Sequence, residues 1–215
     1  MLPFGPLFQV NEVVVFVNVS DAIKRRRSVG LFDPDFEVSE SQVRELIEAA
    51  NLTPSAFNIQ HWRFVWLRDP AVLGQASEAV WYQPQVTDAA LVLLVCMDLK
   101  AWQKSPQRYW VNAPPEVAEH MVDNTLKTYA DNPRLERDEA MRSASMAAMT
   151  LMLKAQDMGL ESCAMACDEG RMAGLVRLPP DPAVCMVIAF GKPLKAPYPR
   201  PGLVSVDDVL VTDAF

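Results

Sequence analysis

Apolar residues recur at Val43, Leu46, Ile47 and Ala50, the i, i+3, i+4, i+7 spacing of a helix with one buried face. Ser39 stands ahead of that face with Gln42 three residues on, a capping box that opens the helix. Pro54 disfavours helical backbone at Thr53 and stops it. The polar stretch Pro54–Gln60 is therefore a loop held at the end of a rigid element. Over residues 139–158 the stripe is of mostly small residues: Ala144, Ala147, Ala148, Leu151, Ala155 and Met158. It suits close helix packing, and Gly159 is placed to end the helix. Shorter helices are predicted from a Ser20 or Asp21 cap to about Arg26, over 71–82, from about Glu116 to Tyr129, and over Gly170–Leu178 before Pro179-Pro180. The continuous apolar runs Ala89–Met97 and Val184–Phe190 read as strands buried on both faces. Arg63–Leu67 reads as a strand closed by Asp69-Pro70, and Glu161–Cys167 as strand or loop.

Three stretches fit neither period. Residues 1–18 hold the run Val13–Val17, which suits an edge strand or an unstructured extension. Residues 100–138 are rich in proline, charge and aromatics, and form an excursion over the core that would act as a lid or pocket wall. The tail from residue 194 is proline-rich and then apolar at Val204, Val206, Val209, Leu210 and Val211; alone it cannot bury itself, so it folds back or wraps a partner. Residues 19–215, excursion and tail included, read as a single domain.

Charge changes this picture in one place. Lys+Arg number 20 against 27 Asp+Glu in 215 residues, a net −7, which argues against a nucleic-acid partner. In an acidic chain the cluster Arg25-Arg26-Arg27 followed by Ser28 stands out. Guanidinium groups fit phosphate bidentately. A solvated helix end, where cations are favourable in any case, is the plainer reading of the same residues. Ser55, Asn58 and Gln60 suit the edge of a planar hydrogen-bonding ring, or an ordinary turn. No apolar run reaches bilayer length and the N-terminus makes a poor signal peptide, so a cytoplasmic protein is expected. The four cysteines suit a reducing compartment. Cys96 and Cys185 read as buried hydrophobes, and Cys163 and Cys167, spaced CxxxC without a second pair, do not suggest zinc. His61 reads as structural beside Trp62, and Met141, Met146, Met149 and Met152 as core filler. Trp102, Tyr109 and Trp110 suit a substrate pocket or an anchor for the excursion.

Ala22-Ile23-Lys24-Arg25-Arg26-Arg27-Ser28-Val29-Gly30-Leu31-Phe32 resembles the opening motif of the FMN-dependent nitroreductase family. Pro54-Ser55-Ala56-Phe57-Asn58-Ile59-Gln60-His61-Trp62-Arg63-Phe64 resembles its second motif, Gly159-Leu160-Glu161-Ser162-Cys163 its third, and Gly191-Lys192-Pro193 with Arg200 its end. The resemblance implies an α+β fold with a mixed central sheet flanked by helices, and an intertwined homodimer with C-terminal strand exchange and two FMN sites at the interface. It implies that Arg25, Arg26, Arg27 and Ser28 hold the FMN phosphate, completed by Arg200 and Lys195. Pro54, Ser55 and Asn58 would come from the other subunit, with Gln60 near that loop. Gln85 would lie at the pyrimidine end of the ring, and backbone at Met165, Ala166 and Cys167 would face N5.

The implied activity is ping-pong reduction of nitroaromatic, quinone or similar flat acceptors by NADH or NADPH, with no catalytic side chain, the flavin N5 carrying the chemistry. Gly30 stands where the family commonly has a cation. An oxidase acting on a small molecule with oxygen, or a non-catalytic flavin-binding protein, stays open as an alternative.

Overall fold

A computed structural model of the chain describes residues 17–215; the choice between strand and extension for the Val13–Val17 run falls almost wholly outside them. Helix α1 (Val19–Arg25) is capped by Asn18 rather than by Ser20 or Asp21: its Oδ1 accepts from Asp21 N at 2.9 Å. Asparagine caps as well as serine or aspartate, so three adjacent candidates competed. Helix α2 (Glu40–Asn51) has the capping box: Ser39 Oγ accepts from Gln42 N and Gln42 Oε1 from Ser39 N. It buries Val43, Leu46 and Ala50.

Then follow β1 (Trp62–Leu67), α3 (Pro70–Ala79), α4 (Gln85–Asp88) and β2 (Leu91–Asp98). After them come α5 (Pro115–Tyr129), α6 (Pro133–Asp157), β3 (Glu161–Met165), α7 (Glu169–Leu175), β4 (Pro182–Gly191) and α8 (Val206–Val209). Two boundaries differ from the sequence expectation. Helix α3 stops before residue 82, because Trp81 and Tyr82 take left-handed φ of 55° and 59°. Helix α6 starts at Pro133 rather than 139. Asn132 Oδ1 caps it through Leu135 N, and a proline in the first turn lacks only an N–H that has no helical acceptor.

The four strands lie in the order β1-β2-β4-β3, and each neighbouring pair is antiparallel. A parallel bridge, Ser28 with Ser162, adds the segment after α1 beside β3. Strand β2 is buried along its whole length, and its side chains divide by period two. Leu91, Leu93, Val95 and Met97 meet α2 and the alanine stripe of α6, where Ala140, Ala144, Ala147 and Ala148 are buried. Val92, Leu94 and Cys96 meet the opposite layer, with Val29, Phe32, Ala76, Val86 and Met172. The sheet is thus covered on both faces, an α+β arrangement flanked by helices.

A third, smaller cluster fastens the excursion: Ile59, Ala101, Trp102, Tyr109 and Tyr129 pack together, with Phe57 against them. Trp102 stacks on Tyr129 at 6.0 Å and donates from Nε1 to the buried Glu136 at 2.9 Å. Glu136 also pairs with Lys100 at 2.7 Å. No helix among the described residues is long and apolar enough to cross a membrane.

Candidate functional site

The sheet order sets where each sequence motif lies. Strands β1 and β3 are the two edges. The Arg25–Ser28 segment is beside β3, through Val29 N donating to Ser162 O at 3.1 Å. The Pro54–Gln60 loop leads directly into β1. Three interstrand spacings of ~4.8 Å place those edges about 14 Å apart. The two motifs therefore adjoin opposite edges of the sheet.

At the β3 edge, the end of α1 is wrapped by cations. Arg27 Nη1 donates to the carbonyls of Arg25 at 3.1 Å and Arg26 at 2.9 Å. Arg200, returning from the tail, donates from Nη2 to Ile23 O at 2.8 Å and Arg26 O at 3.2 Å. Helix C-termini carry partial negative charge, which explains the attraction. None of Arg25, Arg26, Arg27 or Arg200 forms an ion pair among the described residues. Burial, then the charges of Arg200 and Arg27, pull Arg26 below its ordinary value, with Glu161 and Cys163 opposing. An anion would relieve this repulsion. Lys195 is exposed further along the tail.

Beside the arginines lie polar groups without partners. Ser162 Oγ is buried and unbonded, as is Gln85 Oε1, while Gln85 Nε2 faces Cys163 Sγ at 3.9 Å. Buried polar atoms are nearly always hydrogen-bonded, so Gln85 Oε1, on the Cys163 side of β3, points to a ligand; Ser162, the strand neighbour of Cys163, faces the other side of the sheet. Burial pushes the Cys163 thiol up, and the nearby Arg26 acts against that. Met165 is buried at the end of β3, Ala166 is exposed, and Cys167 is half-buried with its thiol pushed up to about 11, mainly by burial. A Cβ on Gly30 would meet nothing within 4 Å, so no crowding enforces the glycine.

At the β1 edge the loop is strained and self-bonded. Phe57, Asn58 and Gln60 have φ of 51°, 54° and 53°, left-handed values unusual for residues with a Cβ. Such conformations gather at ligand clamps. Ser55 Oγ accepts from Gln60 N at 3.0 Å, Gln60 Nε2 donates to Asn58 Oδ1 at 3.1 Å, and Asn58 Nδ2 donates to Tyr109 O at 2.9 Å. The loop is thereby tied to the excursion. Behind it is a cavity of about 560 Å³, walled in part by Gln60, Trp62, Arg108 and Tyr109. Of the three aromatics singled out in the excursion, Tyr109 lines this cavity; Trp102 points into the core, and Trp110 has its Nε1 buried without a partner.

The model of the nitroreductase family matches residues 23–192. This chain belongs to the nitroreductase family. Its relatives include Protein DrgA of Synechocystis, 47% identical over 173 residues, covering 80% of this chain and 82% of that protein. The solved structure of ydfN from Bacillus subtilis superposes with a TM-score of 0.84 at 29% identity, over 89% of this chain and 97% of that one. A structure from Exiguobacterium sibiricum in complex with FMN shares the fold, with a TM-score of 0.84 at 22% identity, over 90% and 96% of the two chains. In this nitroreductase-family protein, Ser162 stood in the third motif without a role, and its buried, unpartnered hydroxyl is a feature of the folded sheet. Sequence reasoning missed Asn51 and Arg108, which no local motif marks and which meet only through tertiary packing.

Proposed function

We propose that this protein is an FMN-dependent NAD(P)H oxidoreductase whose two cofactor sites each form between two copies of the chain. The observation that carries the reading is the split between the edges: unpaired arginines with the unpartnered Gln85 Oε1 near β3, and a strained amide loop at β1. Each is half of a site for a phosphorylated planar ring. The residues present fit FMN by their chemistry: Arg25, Arg26, Arg27, Ser28, Arg200 and Lys195 for the phosphate, Gln85 for a polar atom toward the ring. Pro54, Ser55, Asn58 and Gln60 of the second copy would complete it. FMN, when bound, supplies a two-electron acceptor and donor of hydride.

The chain's own part is binding and orientation. The arginines neutralise the phosphate, and backbone around Met165, Ala166 and Cys167 borders the ring. No side chain is required to move a proton at the reacting atom. A nicotinamide and then a flat acceptor, such as a quinone or nitroaromatic, would use one open face in turn, giving ping-pong kinetics. The exposed apolar residues of the tail, among them Leu203, Val204 and Leu210, support strand exchange with the second copy.

Open space at Gly30 favours keeping the oxidase alternative, since the usual cation is absent there without steric cause. An absorbance spectrum of the purified protein, followed by anaerobic titration with NADH and NADPH, tests the reading. A flavin spectrum bleached by either nicotinamide supports it. A colourless protein that gains no NAD(P)H oxidation with added FMN refutes it.

A further inference from the structure

The turn after α3 presents two large aromatic rings to solvent. Trp81 and Tyr82 are 62% and 74% exposed and take consecutive left-handed φ of 55° and 59°. A Cβ makes that backbone unfavourable, so two such residues in a row persist only where the surroundings impose them. Here they do. Ala79 and Val80 are buried, Tyr82 N donates to Ser77 O at 2.7 Å and Trp81 N to Glu78 O at 3.1 Å. Gln83 Nε2 donates to Val80 O at 3.1 Å. Both rings thus project from a rigid base, and neither is used to fill a core.

The turn is fastened to the end of β3. Asp168 N donates to Ala79 O at 2.8 Å, which sets the turn beside the chain leaving Met165, Ala166 and Cys167. Glu78, Trp81, Tyr82, Asp168 and Arg171 line a cavity of about 320 Å³, at the lower end of the range for small-molecule sites. Its walls are two aromatic rings, two carboxylates and one guanidinium. Arg171 stands 3.6 Å from Glu78 and 3.6 Å from Asp168, shared between them, so one negative charge is left over. Asp168 is held in place as the cap of α7, its Oδ1 accepting from Arg171 N at 3.0 Å. At the other end of the turn, Gln85 carries the unpartnered Oε1 near Cys163.

We propose that this cavity seats the electron acceptor, and that its walls select flat aromatic acceptors that are neutral or cationic over those carrying a carboxylate. Trp81 and Tyr82 offer faces to an aromatic ring, while Glu78 and Asp168 repel an anion. The proposal rests on the reading given under Proposed function, in which Met165, Ala166 and Cys167 border the flavin; the next residue, Asp168, lines the cavity. One uncompensated charge about 6 Å away across water changes affinity about threefold. One aromatic contact changes it by about two- to twelvefold.

4-Nitrobenzamide and 4-nitrobenzoate have nearly the same shape and differ by one charge. Each is titrated into the oxidised, FMN-loaded protein with no nicotinamide present, and Kd is read from the change in the flavin's visible absorbance. The amide should bind about threefold more tightly than the carboxylate. Glu78→Gln should remove most of that preference by strengthening the carboxylate alone. Trp81→Ala should weaken the amide about fivefold, and Trp81→Phe should keep most of the wild-type affinity. Glu78 and Trp81 are both more than half exposed, so the variants should retain wild-type circular dichroism and FMN content. In turnover with NADH or NADPH, the ratio of kcat/KM for the two acceptors should follow the ratio of their Kd values. In protein that holds FMN, an unchanged Kd for the amide in Trp81→Ala overturns the proposal. So does an amide-to-carboxylate ratio that Glu78→Gln leaves as it was, or no absorbance change with either compound in the wild type. Protein that takes up no FMN is a different result, visible in its spectrum before any titration: it refutes the cofactor reading, and the proposal with it.

Discussion

Replacing Arg26 by alanine should weaken FMN binding while leaving the flavin-free protein as stable as before. Arg26 is half-buried, has no ion pair among the described residues, and is held below its ordinary value by burial and then by Arg200 and Arg27. Hydrogen bonds to a charged group contribute about 1.5–3 kcal/mol, so losing the phosphate contact should raise the Kd of FMN by about 10- to 150-fold. The same substitution removes one of several mutually repelling cations and no carboxylate loses a partner. Stability of the flavin-free form should therefore change by no more than about 0.5 kcal/mol. FMN fluorescence titration gives the first quantity and urea unfolding of the flavin-stripped protein the second. Raising salt should narrow the gap between wild type and variant, because exposed charges are screened. An unchanged Kd would refute the phosphate cradle. A loss of affinity matched by a loss of stability of several kcal/mol would show that Arg26 is structural instead.

His61 is fully buried, its Nδ1 is 3.2 Å from Ser143 Oγ, and its pKa is lowered from 6.5 to about 4, mainly by burial. The unfolded chain therefore binds the extra proton first as pH falls. Stability should be unaffected above about pH 7, drop by about 2 kcal/mol by pH 5 and by about 3 kcal/mol at pH 4, and level off just beyond that at lower pH on this account. His61→Gln should flatten that part of the profile in urea unfolding series; an unchanged slope would count against it. Leu151 is fully buried between α6 and the sheet, so Leu151→Ala should cost about 2–5 kcal/mol, read as a lower urea midpoint. Leu203 and Leu210 are 83% and 68% exposed on their own chain, so Leu203→Glu with Leu210→Glu should leave the subunit folded by circular dichroism. Light scattering should nonetheless show the pair weakening association of two copies; a wild-type mass unaltered by the change would sink the strand-exchange proposal.

Much of the framework could be read along the chain because its causes are local. The capping box at Ser39, the stop at Pro54, the alanine stripe ended by Gly159 at φ 67°, and the two apolar runs each act within a few residues. Where local signals competed, the expectation slipped: Asn18 took the cap beside Ser20 and Asp21, and Pro133 opened α6 where prolines had suggested loop. Arg26, Ser28, Asn58 and Gln60 stood out as motifs because their chemistry is carried by adjacent residues.

Which edge of the sheet each motif would occupy could not be read that way. Strand order is settled by packing among segments far apart in the chain, here β2 beside β4 with β1 and β3 left outermost. The same is true of the orphaned Ser162 hydroxyl and of the meeting of Asn51 with Arg108 across one cavity. Spacing along a chain reports what a residue's neighbours allow; only the folded layers determine which distant side chains share a space, because burial of the two sheet faces is a property of the whole core.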